Sequence, residues 1–110
     1  MAKEQRTSPR IAIEQPIKVT NLSENKVIGH LVNLSSEGLM LLTSESLPIS
    51  HIYQLEMCLN YADNSERVIK FGAESLWSQE TSTPGHDWVG FHIIDISDED
   101  QEILDKMVDE

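Results

Sequence analysis

The strongest constraint in this 110-residue chain is a hydrophobic repeat of two. Between residues 51 and 60, Tyr53, Leu55, Met57 and Leu59 alternate with Gln54 and Glu56. Successive side chains of a strand face opposite ways, so this pattern predicts one apolar and one polar face. The same period recurs along most of the chain. Ile11, Ile13, Ile17 and Val19 share a face against Glu14, Lys18 and Thr20, and Pro16, which lacks a backbone donor, places that strand at an edge or at a bulge. Residues 26–34 and 39–43 read as two strands joined by a tight Ser-Ser-Glu-Gly turn. Residues 66–78 put Ile69, Phe71, Ala73 and Trp77 on one side, and residues 87–96 align Val89, Phe91 and Ile93, with Trp88 opposite. Turn and loop chemistry fills 21–25, 44–50, 63–65 and 79–85.

The period changes only at the C-terminus. Ser97 suits a helix N-cap, and Asp98, Glu99 and Asp100 complement the positive end of a helix dipole. Ile103, Leu104, Met107 and Val108 then form an apolar stripe at helical spacing, which predicts a helix over about 97–109. Six short antiparallel strands in a chain of this size close most simply on themselves, because closure removes exposed edges. The expected fold is mainly β: a six-stranded antiparallel barrel over 11–110 with a C-terminal α-helix packed on the barrel or on a partner. The first ten residues read as a flexible basic segment, polar and without apolar periodicity.

Charge narrows the function. Nineteen Asp and Glu against eight Lys and Arg give a net charge of −11. Such a chain is repelled by DNA, by RNA and by anionic membrane. A small anion held by a local basic patch is still compatible with it. That patch lies at the start, where Lys3, Arg6 and Arg10 stand against Glu4 alone. No apolar run is long enough to span a bilayer, and the opening residues lack the apolar core of a signal peptide. The expectation is a cytoplasmic protein with no membrane insertion. Cys58 is the single cysteine, which excludes an internal disulfide and a Cys-based zinc site.

Catalytic chemistry is hard to assemble from these residues. His30, His51, His86 and His92 are scattered, without the helical spacing of metal ligands. Asp95, Asp98 and Asp100 lack the glycine and terminal glutamate of a calcium loop, and helix capping accounts for them better. A nucleophile elbow, a Gly-rich phosphate loop and a Cys-His pair are all missing. The chain is expected to be no enzyme and to need no metal or cofactor.

Two short motifs remain. Arg6-Thr-Ser-Pro-Arg10 is an R-x-x-x-R immediately before the first strand, and Asn33-Leu-Ser35-Ser-Glu-Gly38 is an N-x-S-x-x-G between two strands. Taken singly, the first reads as two solvated arginines and the second as a β-turn with an Asx cap and a glycine at positive φ. Arginine's planar fork fits phosphate oxygens and guanine edges, and its plane stacks on a base. Asn33 and Ser35 are short hydrogen-bonding side chains suited to base edges, and Gly38 admits close backbone approach.

Taken together with the Gly90-Phe91 strand and the acidic helix that ends the chain, the motifs resemble the PilZ domain family over about residues 6–108. The resemblance implies a barrel whose outer surface binds the bacterial second messenger cyclic di-GMP. By motif position the implied ligand-binding residues are Arg6, Arg10, Asn33, Ser35 and Gly38. Trp77, which ends its strand on the Phe71 face, reads first as a core or rim residue, with an accessory role in base stacking as the alternative. Many members carry Asp where this chain has Asn33, and a further arginine often precedes the first motif, where this chain has Gln5. The implied function is a receptor or adaptor that alters a contact with an effector protein when nucleotide orders the arginine segment. The alternative is a PilZ-like interaction module that binds no nucleotide, serving pilus assembly or motility.

Overall fold

In a computed structural model, residues 11–12, 17–60 and 66–109 are described. The alternating segments become strands β1 (Ile11–Ala12), β2 (Lys18–Asn21), β3 (Lys26–Leu34), β4 (Gly38–Thr43), β5 (Ile52–Asn60), β6 (Glu66–Glu80) and β7 (Asp87–Ile96), followed by helix α1 (Asp98–Asp109). The opening strand of the sequence reading is described in two pieces, on either side of residues 13–16, and both run antiparallel to β3. The basic segment of residues 1–10, together with Ile13, Pro16 and the turn at 63–65, lies outside the described residues.

The sheet closes. Strands run in the order β3-β2-β5-β6-β7-β4, and β4 pairs back onto β3, giving a six-stranded antiparallel barrel with β1 attached to the end of β3. Val19, the alternating Leu55, Met57 and Leu59, and the Val89 to Ile93 series are all buried inside it. Leu104 and Val108 of α1 complete this core, so the helix stripe packs on the barrel itself. Its N-terminus is capped as the sequence predicts: the Asp100 amide donates to Ser97 Oγ at 3.1 Å. The backbone N–H of Lys70 in β6 donates to Asp100 Oδ2 at 3.3 Å, tying the first turn of α1 to the barrel wall.

Four register shifts interrupt the pairing of the described strands, one of them between β2 and β3, and three bear on the site. In β3, Leu31 pairs with Leu41 but Asn33 pairs with Met40, so Val32 is the extra residue. In β6 the pairs Ser75–Phe91 and Trp77–Gly90 leave Leu76 extra, and in β7 the pairs Gly72–Asp95 and Ala73–Ile93 leave Ile94 extra. A bulge reverses the in–out phase of the strand beyond it. This corrects the placement of Trp77. Strict alternation puts it on the buried face of Phe71; past the Leu76 bulge it turns outward and is 43% exposed. Its indole lies over Gly90, in space that a Cβ there would occupy.

Candidate nucleotide-binding surface

The Asn33–Gly38 motif forms the connection between β3 and β4. Met40 lies between the buried Leu39 and Leu41, so it points out of the barrel, and Asn33 pairs with it on the same outer face. The Val32 bulge makes this arrangement. Without it Asn33, two residues after the buried Leu31, would point into the core. Asn33 is half-buried.

Ser35 holds the backbone of this turn. Its side chain is buried, and its Oγ accepts from the amides of Gly38 at 3.1 Å and Glu37 at 3.3 Å. The Ser35 hydroxyl also lies 3.3 Å from the Gly38 carbonyl, which accepts the Ser35 amide at 2.9 Å. Ser35 therefore caps this turn. Its hydroxyl holds the backbone in one shape and faces away from solvent.

Gly38 is needed for space. A Cβ at this position would come within 2.5 Å of the Phe91 carbonyl oxygen, a backbone atom that cannot swing away. The expected positive φ is not found: among the described glycines only Gly85 adopts one. Two long-range bonds then anchor the turn. The Ile93 amide in β7 donates to the Glu37 carbonyl at 2.8 Å. Gln101 of α1 donates through Nε2 to the Ser36 carbonyl at 2.9 Å and to Asp105 Oδ1 at 3.0 Å. Val32, Met40 and Gln101 all shape the site and carry no motif signal in the sequence.

The strand that follows the arginine motif in sequence pairs beside this turn. Ile11, which follows Arg10, pairs with Leu34, and Ala12 pairs with Asn33. Arg6 and Arg10 themselves lie outside the described residues. From Asn33 the cross-strand pairs run through Met40 and Gly90 to Trp77. Three strand spacings put Trp77 roughly 14 Å from Asn33 along the outer surface. Two open grooves, of about 460 Å³ between β6 and α1 and about 300 Å³ along residues 80–87, contain none of residues 33–38.

Other reactive groups are poorly placed for chemistry. Cys58 is exposed, and partial desolvation, followed by the Glu66 carboxylate, raises its thiol pKa above the ordinary value. That keeps it protonated and weakly nucleophilic. Among the described residues no three His, Cys, Asp or Glu side chains converge on a metal-sized site, and no helix is long and apolar enough to cross a membrane.

Known structures share this architecture. The Bacillus subtilis inhibitor of motility (MotI/DgrA) superposes with a TM-score of 0.77 at 15% identity, covering 96% of this chain and 50% of that one. The PilZ domain of Escherichia coli YcgR, solved with c-di-GMP, gives 0.69 at 17% identity over 96% of this chain and 89% of that chain. A structure of YcgR in complex with c-di-GMP gives 0.71 at 21% identity over 96% and 45%. The present chain thus spans about half the length of MotI. At these identities the likeness is one of fold. No curated protein matches the sequence. The PilZ domain model, however, matches residues 4–110, a span that takes in both motifs, the barrel and the C-terminal helix, and on that match the chain belongs to the PilZ domain family.

Proposed function

We propose that this protein is a cyclic di-GMP receptor acting as an adaptor, in which nucleotide at residues 33–38 orders the segment containing Arg6 and Arg10 and so changes a contact with an effector protein. The pairing of Ile11 and Ala12 with Leu34 and Asn33 carries the reading, because it ties the strand after the arginine motif to the second motif. Membership of the PilZ family and the fold shared with YcgR support the class of ligand.

The roles divide by chemistry. Cyclic di-GMP presents two phosphates and two guanines. Arg6 and Arg10 supply the cationic forks, since residues 33–38 contain no Lys or Arg and the molecule as a whole carries −11. Asn33, held outward by the Val32 bulge, offers an amide to a base edge. Ser35 acts through the turn it caps, and Gly38 lets that turn lie against β7. Trp77 offers an exposed ring for stacking. Two charged arginine contacts contribute about 1.5–3 kcal/mol each, and stacking about 1–3 kcal/mol per base. Ordering each residue of the segment costs on the order of 1–2 kcal/mol. Before that ordering cost the contacts reach the range of micromolar affinity, about −8 kcal/mol.

Calorimetric titration with cyclic di-GMP tests this directly. Wild type should release heat and gain amide-exchange protection over residues 3–12, while Arg10→Ala should weaken binding at least tenfold. No heat and no thermal shift at hundreds of micromolar nucleotide would instead support an interaction module that binds none.

A further inference from the structure

The adaptor reading leaves open which surface meets the effector. The outer face of β6 and β7 carries an unusual grouping. Leu76 and Ile94 are the extra residues of the two β6–β7 bulges, and both are half exposed. The bulges lie one on each strand, at either end of three paired positions, and the middle pair is Glu74–His92. On its other side Glu74 pairs with Ile52, which is 63% exposed. Glu74 is therefore bordered by Ile52 across one strand, His92 across the other, Leu76 along its own strand and Ile94 on the diagonal. It is half-buried and makes no ion pair among the described residues.

We propose that this face docks a segment of an effector protein that brings an arginine or lysine onto Glu74 within an apolar surround. The argument is one of charge complementarity. Exposed apolar side chains grouped this way favour a protein contact. Yet a purely apolar occupant would strip water from the Glu74 carboxylate and leave it unpaired, which is strongly unfavourable. His92, across the strand, is the one nearby side chain with a ring N–H to offer, and an occupant that brings a cation to this point gains the apolar burial while adding the strongest partner a carboxylate can have. A second copy docked face to face would set Glu74 against Glu74 and one −11 body against another. Anionic lipid would meet the same repulsion. Three exposed apolar side chains beside a central charge pair also match how binding energy concentrates in interfaces, in a desolvated centre where Arg is enriched.

The inference deepens the adaptor reading by naming its docking face, and it is tested separately from nucleotide binding. A phage-displayed library of random peptides is selected on the intact protein, with and without cyclic di-GMP, and amide shifts locate the recovered peptides. The expected result is enrichment of Arg or Lys flanked by apolar residues, with shifts centred on Glu74, Leu76 and Ile94. Glu74→Lys and Leu76→Asp should each weaken these peptides at least tenfold, while Glu99→Lys on the helix leaves them unchanged. Far-UV circular dichroism and thermal melts verify that each variant is folded. Peptides without a cation, or peptides indifferent to Glu74→Lys, would overturn the proposal. So would self-association by sedimentation that Glu74→Lys strengthens, or binding of wild type to phosphatidylglycerol vesicles through this face. If wild type fails to bind nucleotide yet recovers the expected peptides, the receptor reading falls and the docking face stands.

Discussion

The turn at residues 33–38 and the outer face around Glu74 lie on adjoining strands but are built in opposite ways. The turn is held from all sides: Ser35 Oγ caps it, the Ile93 amide fixes the Glu37 carbonyl, and Gln101 reaches the Ser36 carbonyl from the helix. The face around Glu74 presents side chains that the core does not use, turned outward by two bulges. Pre-organised backbone suits a small ligand, because little ordering is left to oppose binding. Exposed apolar groups around one charge suit a protein contact, which gains from desolvation. Strand β7 joins the two regions, since Gly38 pairs with His92, and His92 pairs with Glu74. A change at the turn is thus one strand away from the docking face.

Substitution tests this contrast, and the largest effect is expected at Gly38. Gly38→Val forces a branched side chain against the Phe91 carbonyl and should cost about 3 kcal/mol. Differential scanning fluorimetry should then show a fall in melting temperature on the order of 10 °C or more. A melting point near wild type would mean that the turn yields easily and is no rigid platform.

Ser35→Ala comes next. It removes the acceptor shared by the Gly38 and Glu37 amides, and losing a buried acceptor of this kind should cost about 1–3 kcal/mol. Urea denaturation should show a lower midpoint with an unchanged m-value. If stability were unchanged while nucleotide affinity fell tenfold, Ser35 would be a direct ligand contact, and its capping role would be secondary.

The smallest effect belongs to the other region. Leu76→Ser alters a residue that the core does not bury, so unfolding stability should stay within about 0.5 kcal/mol of wild type. A loss well above 1 kcal/mol would show that the bulge itself holds the barrel together, and the contrast between the two regions would fail.

Much of this was legible in the sequence, for local reasons. The Tyr53-to-Leu59 alternation and the Ser97 cap depend on residues near each other in the chain, and both appear in the structure where expected. The Asn33–Gly38 motif was also visible, though two of its parts work differently from their sequence reading. Gly38 serves close packing without a positive φ, and Ser35 turns inward. The need for glycine comes from Phe91, far away in sequence, and no local pattern reports it. The bond from Gln101 to Ser36 spans 65 positions and is invisible for the same reason.

Bulges account for the remaining difference. Period-two reasoning assumes an unbroken phase, and it placed Trp77 beside Phe71 on that basis. One extra residue at Leu76 reverses the phase, as Val32 does ahead of Asn33. Such residues look like ordinary strand formers, and which one is left unpaired depends on the register of the neighbouring strand and the curvature of the closed sheet. By itself the sequence determined the strands, their apolar faces, the capped helix and the chemistry of the two motifs, because covalent neighbours set period, capping and turn preference. The tertiary structure alone decided which side chains face outward past each bulge, what holds the motif turn rigid, and that Glu74 stands among Ile52, Leu76, Ile94 and His92. Those outcomes follow from strand pairing and burial, which bring together residues that the chain keeps far apart.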